Sequence, residues 1–159
     1  MQPTLQSKTE SQRVQKLHEY RILDTQPEPN FDGIVDIAAQ ICDTPFVLIT
    51  FVDSDREWYK AKKGIVADEQ PRTSGFGAQT LQYGDVLVVA HVEHDSRFEA
   101  NPLVVSEPYI RFFAGIPIVI PTGEALGALC VLDVAQRELS AEQLEALRIL
   151  ARLVSTPWS

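Results

Sequence analysis

The chain has 159 residues, of which 45% are apolar and 23% are charged, and its formal net charge is -8. This length and balance are typical of one globular domain, and the negative charge disfavours nucleic acid and anionic lipid as partners. Its two cysteines, Cys42 and Cys130, lie in apolar surroundings and exclude a disulfide framework or a cysteine metal site. Without a signal-peptide pattern or a membrane-length apolar run, we expect a cytoplasmic domain with no membrane partner, metal or cofactor.

The first part of the sequence predicts two helices. Residues 1–9 are polar and aperiodic, which predicts a flexible segment, and Thr9 with Gln12 has the spacing of a capping box that starts the first helix. Pro29 suits the first turn of the second helix. The apolar positions that recur at helical spacing in the second helix, and that we expect to be buried, are Phe31, Ile34, Val35, Ala38, Ile41 and Cys42.

A β-hairpin is predicted next. Residues 46–52 form a continuous apolar run rich in β-branched and aromatic side chains, which predicts a central strand covered on both faces. Residues 57–61 predict the returning strand, and Gly64 ends it. The hairpin therefore supplies the middle of a sheet.

An irregular region follows this hairpin. A polar loop over 67–75 leads to a short helix over 76–81 and a strand over 86–90. Residues 91–109 then show two prolines, many polar groups and no sustained period. Because structureless loops of this length in a compact domain usually carry function, we expect residues 91–109 to face a ligand.

The C-terminal part predicts a second hairpin and a last helix. Residues 110–120 and 125–133 read as strands joined by a tight turn. Pro117 cannot donate to a sheet ladder, so we expect it at a bulge or at an edge position. Ser140 and Gln143 have the spacing of a capping box, and Pro157 is expected to stop the helix that follows.

The element order predicts an α+β fold with a mostly antiparallel sheet of five or six strands and helices on one side. We place a single domain over 10–156 and a short tail over 157–159.

No catalytic constellation is evident in the sequence. It lacks a nucleophile elbow, a phosphate-binding glycine loop and a dinucleotide fingerprint. His91 and His94 have a spacing that could bind zinc on a helix, but we interpret them as solvent-facing loop residues. Cys130 lies in an apolar strand, where burial lowers the reactivity of a thiol. We therefore expect that the protein is not an enzyme.

Two segments pair aromatic rings with cations at strand spacing. Trp58 and Lys60 form one such segment, and Arg111 and Phe113 form the other. This combination is used to stack or clamp small ligands, but ordinary strand alternation with cations reaching to solvent gives the same pattern. The sequence leaves both interpretations open for these residues, and also for the loop residues Arg72, Asp95 and Arg97.

A set of short motifs resembles a known family. The motifs are Ile22-Leu23-Asp24-Thr25, Phe31-Asp32, Asp55-Arg56-Glu57-Trp58-Tyr59-Lys60-Ala61, Asp95-Ser96-Arg97-Phe98, Asn101-Pro102-Leu103-Val104, Ile110-Arg111-Phe112-Phe113-Ala114-Gly115 and Leu129-Cys130-Val131-Leu132-Asp133. Together they resemble a GAF domain, and more narrowly the bacterial subgroup at the start of sensor histidine kinases and diguanylate cyclases. The resemblance runs from about residue 10 to residue 154.

The resemblance implies a PAS-related fold, in which helices pack on one side of a six-stranded antiparallel sheet and a ligand pocket lies on the other. It also implies a sensory or regulatory role, with an unknown small-molecule ligand, a homodimer and a downstream kinase or cyclase domain. The ligand-binding residues that we predict are Trp58, Lys60, Arg72, Phe76, Gln79, Asp95, Arg97, Arg111 and Phe113.

The chain departs from this subgroup at the pocket helix. The subgroup usually reads Ser-Phe-Cys-Ala-His where this chain has Gly75, Phe76, Gly77, Ala78 and Gln79, so any role of that Cys and His is lost.

Two other functions are weighed against ligand sensing. One is a ligand-free dimerisation module, in which Leu144, Leu147 and Val154 would form a seam between helices. The other is an enzyme like the GAF-type free methionine sulfoxide reductases, which would need a reactive cysteine.

Overall fold

A computed structural model describes residues 3–155, with side chains from residue 9 onward. The strands are β1 (Phe46–Val52), β2 (Arg56–Lys63), β3 (Glu69–Pro71), β4 (Leu87–Val89), β5 (Phe112–Val119) and β6 (Ala125–Asp133). The helices are α1 (Pro3–Glu19), α2 (Pro29–Cys42), α3 (Phe76–Tyr83), α4 (Pro102–Val105) and α5 (Ala141–Ser155). All neighbouring strands pair antiparallel in the order β3-β2-β1-β6-β5-β4, which confirms the predicted α+β class and six-stranded sheet.

The sheet carries a hydrophobic core on each face. On the first face, α2, α5 and Leu17 of α1 cover the centre of the sheet. On the second face, α3, α4 and the segment between β4 and β5 cover side chains such as Leu48 and Tyr59. The central strands β1 and β6 are buried along almost their whole length, as a strand covered on both faces must be.

Three local predictions from the sequence are confirmed in the structure. Ser140 and Gln143 form the capping box, since each backbone N–H donates to the other's side chain, at 2.8 and 3.0 Å. Pro29 lies in the first turn of α2. Pro117 lies beyond the last residue of β5 that pairs with β4, so its missing N–H costs no hydrogen bond on that side.

Helix α1 begins earlier than predicted. It starts at Pro3, and Thr9 and Gln12 lie inside it, so the predicted capping box at these two residues is wrong. Residues 3–9 belong to the helix because polar residues such as Gln and Lys favour helix without an apolar period. Residues 1–2 and the predicted tail 157–159 lie outside the described residues.

Three further details differ from the sequence prediction. The short strand β3 lies in the segment predicted as a polar loop, and it forms because its backbone pairs with residues 56–58 of β2. The segment 91–109 contains α4 and two turns of 3₁₀ helix, Val92–His94 and Ser96–Phe98. On α2, Ile41 is 36% exposed and Ile34 is half-buried, not buried as predicted, because both lie at the edge of the helix face that carries Phe31 and Val35.

Candidate functional site

The second face of the sheet is filled by aromatic side chains at the place where the family resemblance implies a ligand pocket. Phe76 of α3 stacks on Phe113 of β5 with ring centroids 4.9 Å apart, and Phe98 lies 5.5 Å from both rings. All three rings are at most 2% exposed. Phe76 and Phe113, both predicted as ligand-binding residues, therefore pack against each other.

The start of α3 is occupied by a carboxylate of the same chain. Glu57 on β2 is 2% exposed and accepts the backbone N–H of Gly77 at 3.0 Å and that of Ala78 at 2.7 Å. The Thr50 hydroxyl donates to the same carboxylate at 3.2 Å. Burial raises the pKa of Glu57, although these hydrogen bonds favour the ionised form. Glu57 thus satisfies helix donors that a bound anion would otherwise use.

The glycines at the start of α3 make room for Glu57. A methyl group on Gly75 would overlap the Glu57 carboxylate, and one on Gly77 would lie 2.8 Å from Cγ2 of Thr50 and 3.0 Å from the carboxylate. Because neither position has space for a Cβ atom, the serine and cysteine usual in the subgroup could not enter this packing. The departures from the family pattern at these positions therefore have a local steric cause.

Two of the predicted ligand residues lie on the first face, away from the aromatic cluster. Trp58 packs into the core under α2. Lys60 is the extra residue of a bulge in β2, between the paired residues Tyr59 and Ala61. Its Nζ donates to Thr25 Oγ1 at 2.8 Å and to the Gln26 carbonyl at 2.6 Å, and it pairs with Glu28 at 2.6 Å. Lys60 therefore holds the segment before α2 against the sheet.

The predicted ligand residues in the loops contact their own chain. Asp95 accepts from the backbone N–H of Arg97 and forms a two-point ion pair with its guanidinium. Arg111 donates to the carbonyls of Val104 and Ile110 and lies 5.7 Å from the ring of Tyr109. These contacts stabilise the segment between β4 and β5.

The remaining two predicted ligand residues lie near α3. Gln79 is half-buried on this helix. Arg72 lies before α3 and donates to Glu10 of α1 at 2.6 Å and to the carbonyl of Asp53 at 3.0 Å. The structure therefore does not gather the nine predicted residues into one cavity, and ligand binding by them stays a prediction.

Arg72 belongs to a cluster beside α1 that the sequence analysis did not identify. Glu10 Oε1 accepts from Arg13 Nε at 2.9 Å, and Oε2 accepts from Arg13 Nη2 at 2.7 Å and from Arg72 Nη1 at 2.6 Å. Burial opposes ionisation, but the hydrogen bonds from both arginines outweigh it and lower the pKa of Glu10 to about 2. The only sequence signal was the Glu-to-Arg spacing of three residues on one helix.

Two clefts meet at this cluster. One has a volume of about 740 Å³ and is lined by α1 residues, Arg21, Ser54 and Arg72. The other has a volume of about 730 Å³ and lies between α1, α3 and the turn that joins β5 to β6. Glu10 and Arg72 line both clefts, so their ion pair separates one from the other.

The outer surface of the first-face helices is apolar in part. Ile149 is 45% exposed and Leu153 is 48% exposed, and these residues are one turn apart on the side of α5 that faces away from the sheet. Ile37, on the neighbouring helix α2, is 47% exposed. The dimer seam predicted from Leu144, Leu147 and Val154 is wrong, because Leu147 and Val154 are fully buried in the core under α5 and Leu144 packs against the same core, partly buried.

Neither cysteine is placed for thiol chemistry. Cys42 and Cys130 are both fully buried. Burial raises the pKa of Cys42 to about 11 and that of Cys130 well above its usual range. Both thiols are therefore protonated near neutral pH and shielded from solvent.

The chain belongs to the GAF domain family, whose model matches residues 26–156. This confirms the family that the sequence motifs resemble. GAF domains are typical of signalling and sensing proteins, in which they often lie beside kinase, cyclase or phosphodiesterase domains.

One curated relative and two solved structures illustrate this membership. The chain is 37% identical over 134 residues to a cyclic di-GMP phosphodiesterase of Pseudomonas aeruginosa, a match that covers 84% of this chain but 23% of the relative. It also superposes on the GAF domain of an Acinetobacter phosphoenolpyruvate-protein phosphotransferase, with a TM-score of 0.66, 17% identity and coverage of 98% and 93% of the two chains. A type II free methionine-R-sulfoxide reductase from Thermoplasma acidophilum gives a TM-score of 0.66 at 12% identity, with 93% of each chain covered. At these identities the two solved structures establish the fold alone.

Within residues 3–155, no helix has the length and apolarity needed to cross a bilayer. Over the same residues, no group of three His, Cys, Asp or Glu side chains could hold a metal ion.

Proposed function

We propose that this GAF domain is a regulatory module of a bacterial signalling protein, and that it acts by self-association through the outer surface of α2 and α5. The observation that carries the proposal is the exposed apolar pair Ile149 and Leu153 on α5. In a two-fold dimer each helix would pack against its copy, so one apolar stripe on α5 suffices for both subunits.

The neighbouring helix extends this surface. Ile37 and Ile41 are one turn apart on α2, and both are exposed. The two helices run antiparallel, since the Gln143 side chain at the start of α5 donates to the carbonyl of Ile41 near the end of α2. Burial of apolar area stabilises association by about 25 cal/mol per Å², which favours this face over the polar surface around it.

The filled second face supports a role without a ligand in the family pocket. Opening a pocket there would separate Phe76, Phe98 and Phe113 and would leave the buried Glu57 carboxylate without its helix donors. Leaving one such buried polar group unpaired costs about 1–3 kcal/mol. The two protonated, buried thiols disfavour an enzyme like the GAF-type free methionine sulfoxide reductases, which would need a reactive cysteine.

The relatives suggest which kind of domain this module regulates. The Pseudomonas relative is a cyclic di-GMP phosphodiesterase of which this chain matches a minor part, and the proposed partner is accordingly a kinase, cyclase or phosphodiesterase domain. Self-association of the GAF domain would bring two such domains together, so that their relative position depends on α5.

Site-directed crosslinking tests this function. Ile149→Cys or Leu153→Cys should form a covalent dimer under mild oxidation, because residues on a two-fold seam meet their own copies. Val105→Cys is the matched control, since Val105 is 56% exposed and lies on α4, which packs on the second face of the sheet. The native thiols are buried and should not contribute. Absence of a covalent dimer in both α5 variants, or an equal yield from the control, would overturn the proposal.

Small-molecule sensing is the second candidate function. The observation that favours it is the pair of clefts around Glu10 and Arg72, each within the range of about 300–1,000 Å³ that is usual for ligand sites.

A further inference from the structure

We infer that the cluster of Arg13 and Arg72 is a binding site for a small oxyanion, a carboxylate or a phosphate, and that Glu10 occupies it in the structure described above. This inference rests on small-molecule sensing, the second candidate function, and not on self-association. It places the ligand beside α1, on the opposite side of α3 from the aromatic cluster of the second face.

The geometry at Glu10 is that of a bound carboxylate. One oxygen accepts from Arg13 Nε, and the other accepts from Arg13 Nη2 and Arg72 Nη1, all at 2.6–2.9 Å. Two arginines that converge on one carboxylate match the planar oxyanions of ligands as well as they match a side chain. A ligand carboxylate or phosphate could therefore make the same three hydrogen bonds after Glu10 leaves.

Arg13 has donor capacity that Glu10 does not use. Its side chain is only 8% exposed, and among the described residues its Nη1 has no hydrogen-bond partner although the atom is buried. This nitrogen lies on the side of the guanidinium opposite the Nε–Nη2 edge, so an anion in the place of Glu10 would not reach it. What the burial of Arg13 does require is a compensating negative charge, which Glu10 supplies here and which a ligand carboxylate or phosphate could supply instead.

The two clefts provide space for the rest of a ligand. They meet at the Glu10–Arg72 pair, so movement of Glu10 would join them beside both arginines. Glu124 lies on the far wall of the second cleft, where its carboxylate is hydrogen-bonded by the Thr122 hydroxyl. Glu124 disfavours a second anionic group at this end of the second cleft, whereas Arg21 adds a positive charge to the lining of the first cleft.

Binding at this site would loosen α1. Glu10 belongs to α1, whereas Arg72 lies in the segment before α3. A ligand that replaces Glu10 removes a polar link between α1 and the body of the domain, while the link from His18 to Asp53 at 2.8 Å remains. The site would thereby connect ligand binding to the position of the N-terminal helix.

Nuclear magnetic resonance on the ¹⁵N-labelled full chain tests the inference. Sodium acetate and sodium phosphate are titrated separately at constant ionic strength, and the Nε–H signals of Arg13 and Arg72 are followed together with the amides of α1. In the wild-type protein both arginine signals should shift in a saturable manner, since the anion competes with Glu10. In Glu10→Gln the apparent affinity should rise at least about tenfold, because the internal competitor is gone.

The control variants distinguish a specific binding site from nonspecific electrostatic attraction of the anions. Glu19→Gln removes the same charge from the same helix without contact to either arginine, and it should leave the affinity unchanged. Arg72→Gln combined with Glu10→Gln should abolish the saturable shift. Response to acetate alone assigns a carboxylate ligand, and response to phosphate alone assigns a phosphate ligand. The inference would be overturned if neither anion gave a saturable shift in the wild type or in a folded Glu10→Gln protein. This outcome does not depend on whether the chain sediments as a monomer or as a dimer.

Discussion

The Glu57 carboxylate contacts three other positions, 50, 75 and 77, and restricts which residues fit there. It lies between Thr50 of the central strand and the first amides of α3, and the tight approach requires glycine at positions 75 and 77. Glycine at positions 75 and 77 and glutamate at position 57 therefore depend on one another in this structure.

Gly77→Ala should destabilise the domain by about 1–3 kcal/mol, because the added methyl group would overpack Thr50 and the Glu57 carboxylate. Gly33→Ala is the matched control: its Cβ would contact nothing within 4 Å, and alanine in the interior of α2 should stabilise by about 0.5–1 kcal/mol. Urea unfolding of both variants measures the difference. Equal stability of Gly77→Ala and the wild type would show that the contact at α3 is not tight.

Sequence patterns at the residue scale identified important side chains but not their partners. Trp58 and Lys60 were recognised by their alternation of aromatic ring and cation, yet a bulge in β2 and the chain direction decide that they face α2. Glu57 lies between residues that we singled out, but burial of a carboxylate depends on the amides of a helix that follows much later in the chain. Such long-range pairing has no local sequence signal.

At the scale of elements, the side chains that the structure describes on α1, residues 9–19, attach this helix to the domain by apolar packing and by ion pairs. Leu17 is buried in the first-face core, His18 pairs with Asp53, and Glu10 pairs with Arg72. These polar pairs respond to conditions, such as pH, that leave the central sheet intact.

The contribution of Glu10 to the docking of α1 should depend on pH. Its pKa is lowered to about 2 in the folded protein, so the stabilisation is present above the unfolded value of 4.5 and is lost as the pH falls from 4.5 towards 2. Amide hydrogen exchange of α1 should thus be faster in Glu10→Gln than in wild type at pH 6, after correction for intrinsic rates. The difference should shrink as the pH approaches 3, and a difference that does not change with pH would contradict this assignment.

The order and position of the elements followed from the sequence to a large extent. Strand β1 begins and ends where its apolar run does, and the cap of α5 is the predicted one, because both depend on neighbouring residues. The sequence did not predict the start of α1 or the strand β3, because neither feature is determined by neighbouring residues alone. Helix α1 has little apolar period, and β3 exists through backbone pairing with β2.

At the scale of the whole molecule, the two faces of the sheet have different roles. The second face is closed by its own aromatic rings, whereas the helices on the first face leave an apolar stripe in solvent. The sequence could show that α5 is amphipathic, but it could not show which apolar residues face the sheet, since α5 has more apolar residues than one face accommodates. The structure assigns Leu147 and Val154 to the core and Ile149 and Leu153 to the surface.

Sedimentation equilibrium of the purified chain tests the proposed self-association most directly. We predict that the wild-type protein sediments with twice the mass of one chain, and that Leu153→Glu sediments as a single chain that keeps the folded circular dichroism spectrum, because this side chain is 48% exposed and lies outside the core. Val105→Glu, which places the same charge on an exposed site of α4 over the second face of the sheet, should keep the dimer mass. A wild-type protein that remains a single chain at the highest attainable concentration would contradict the account.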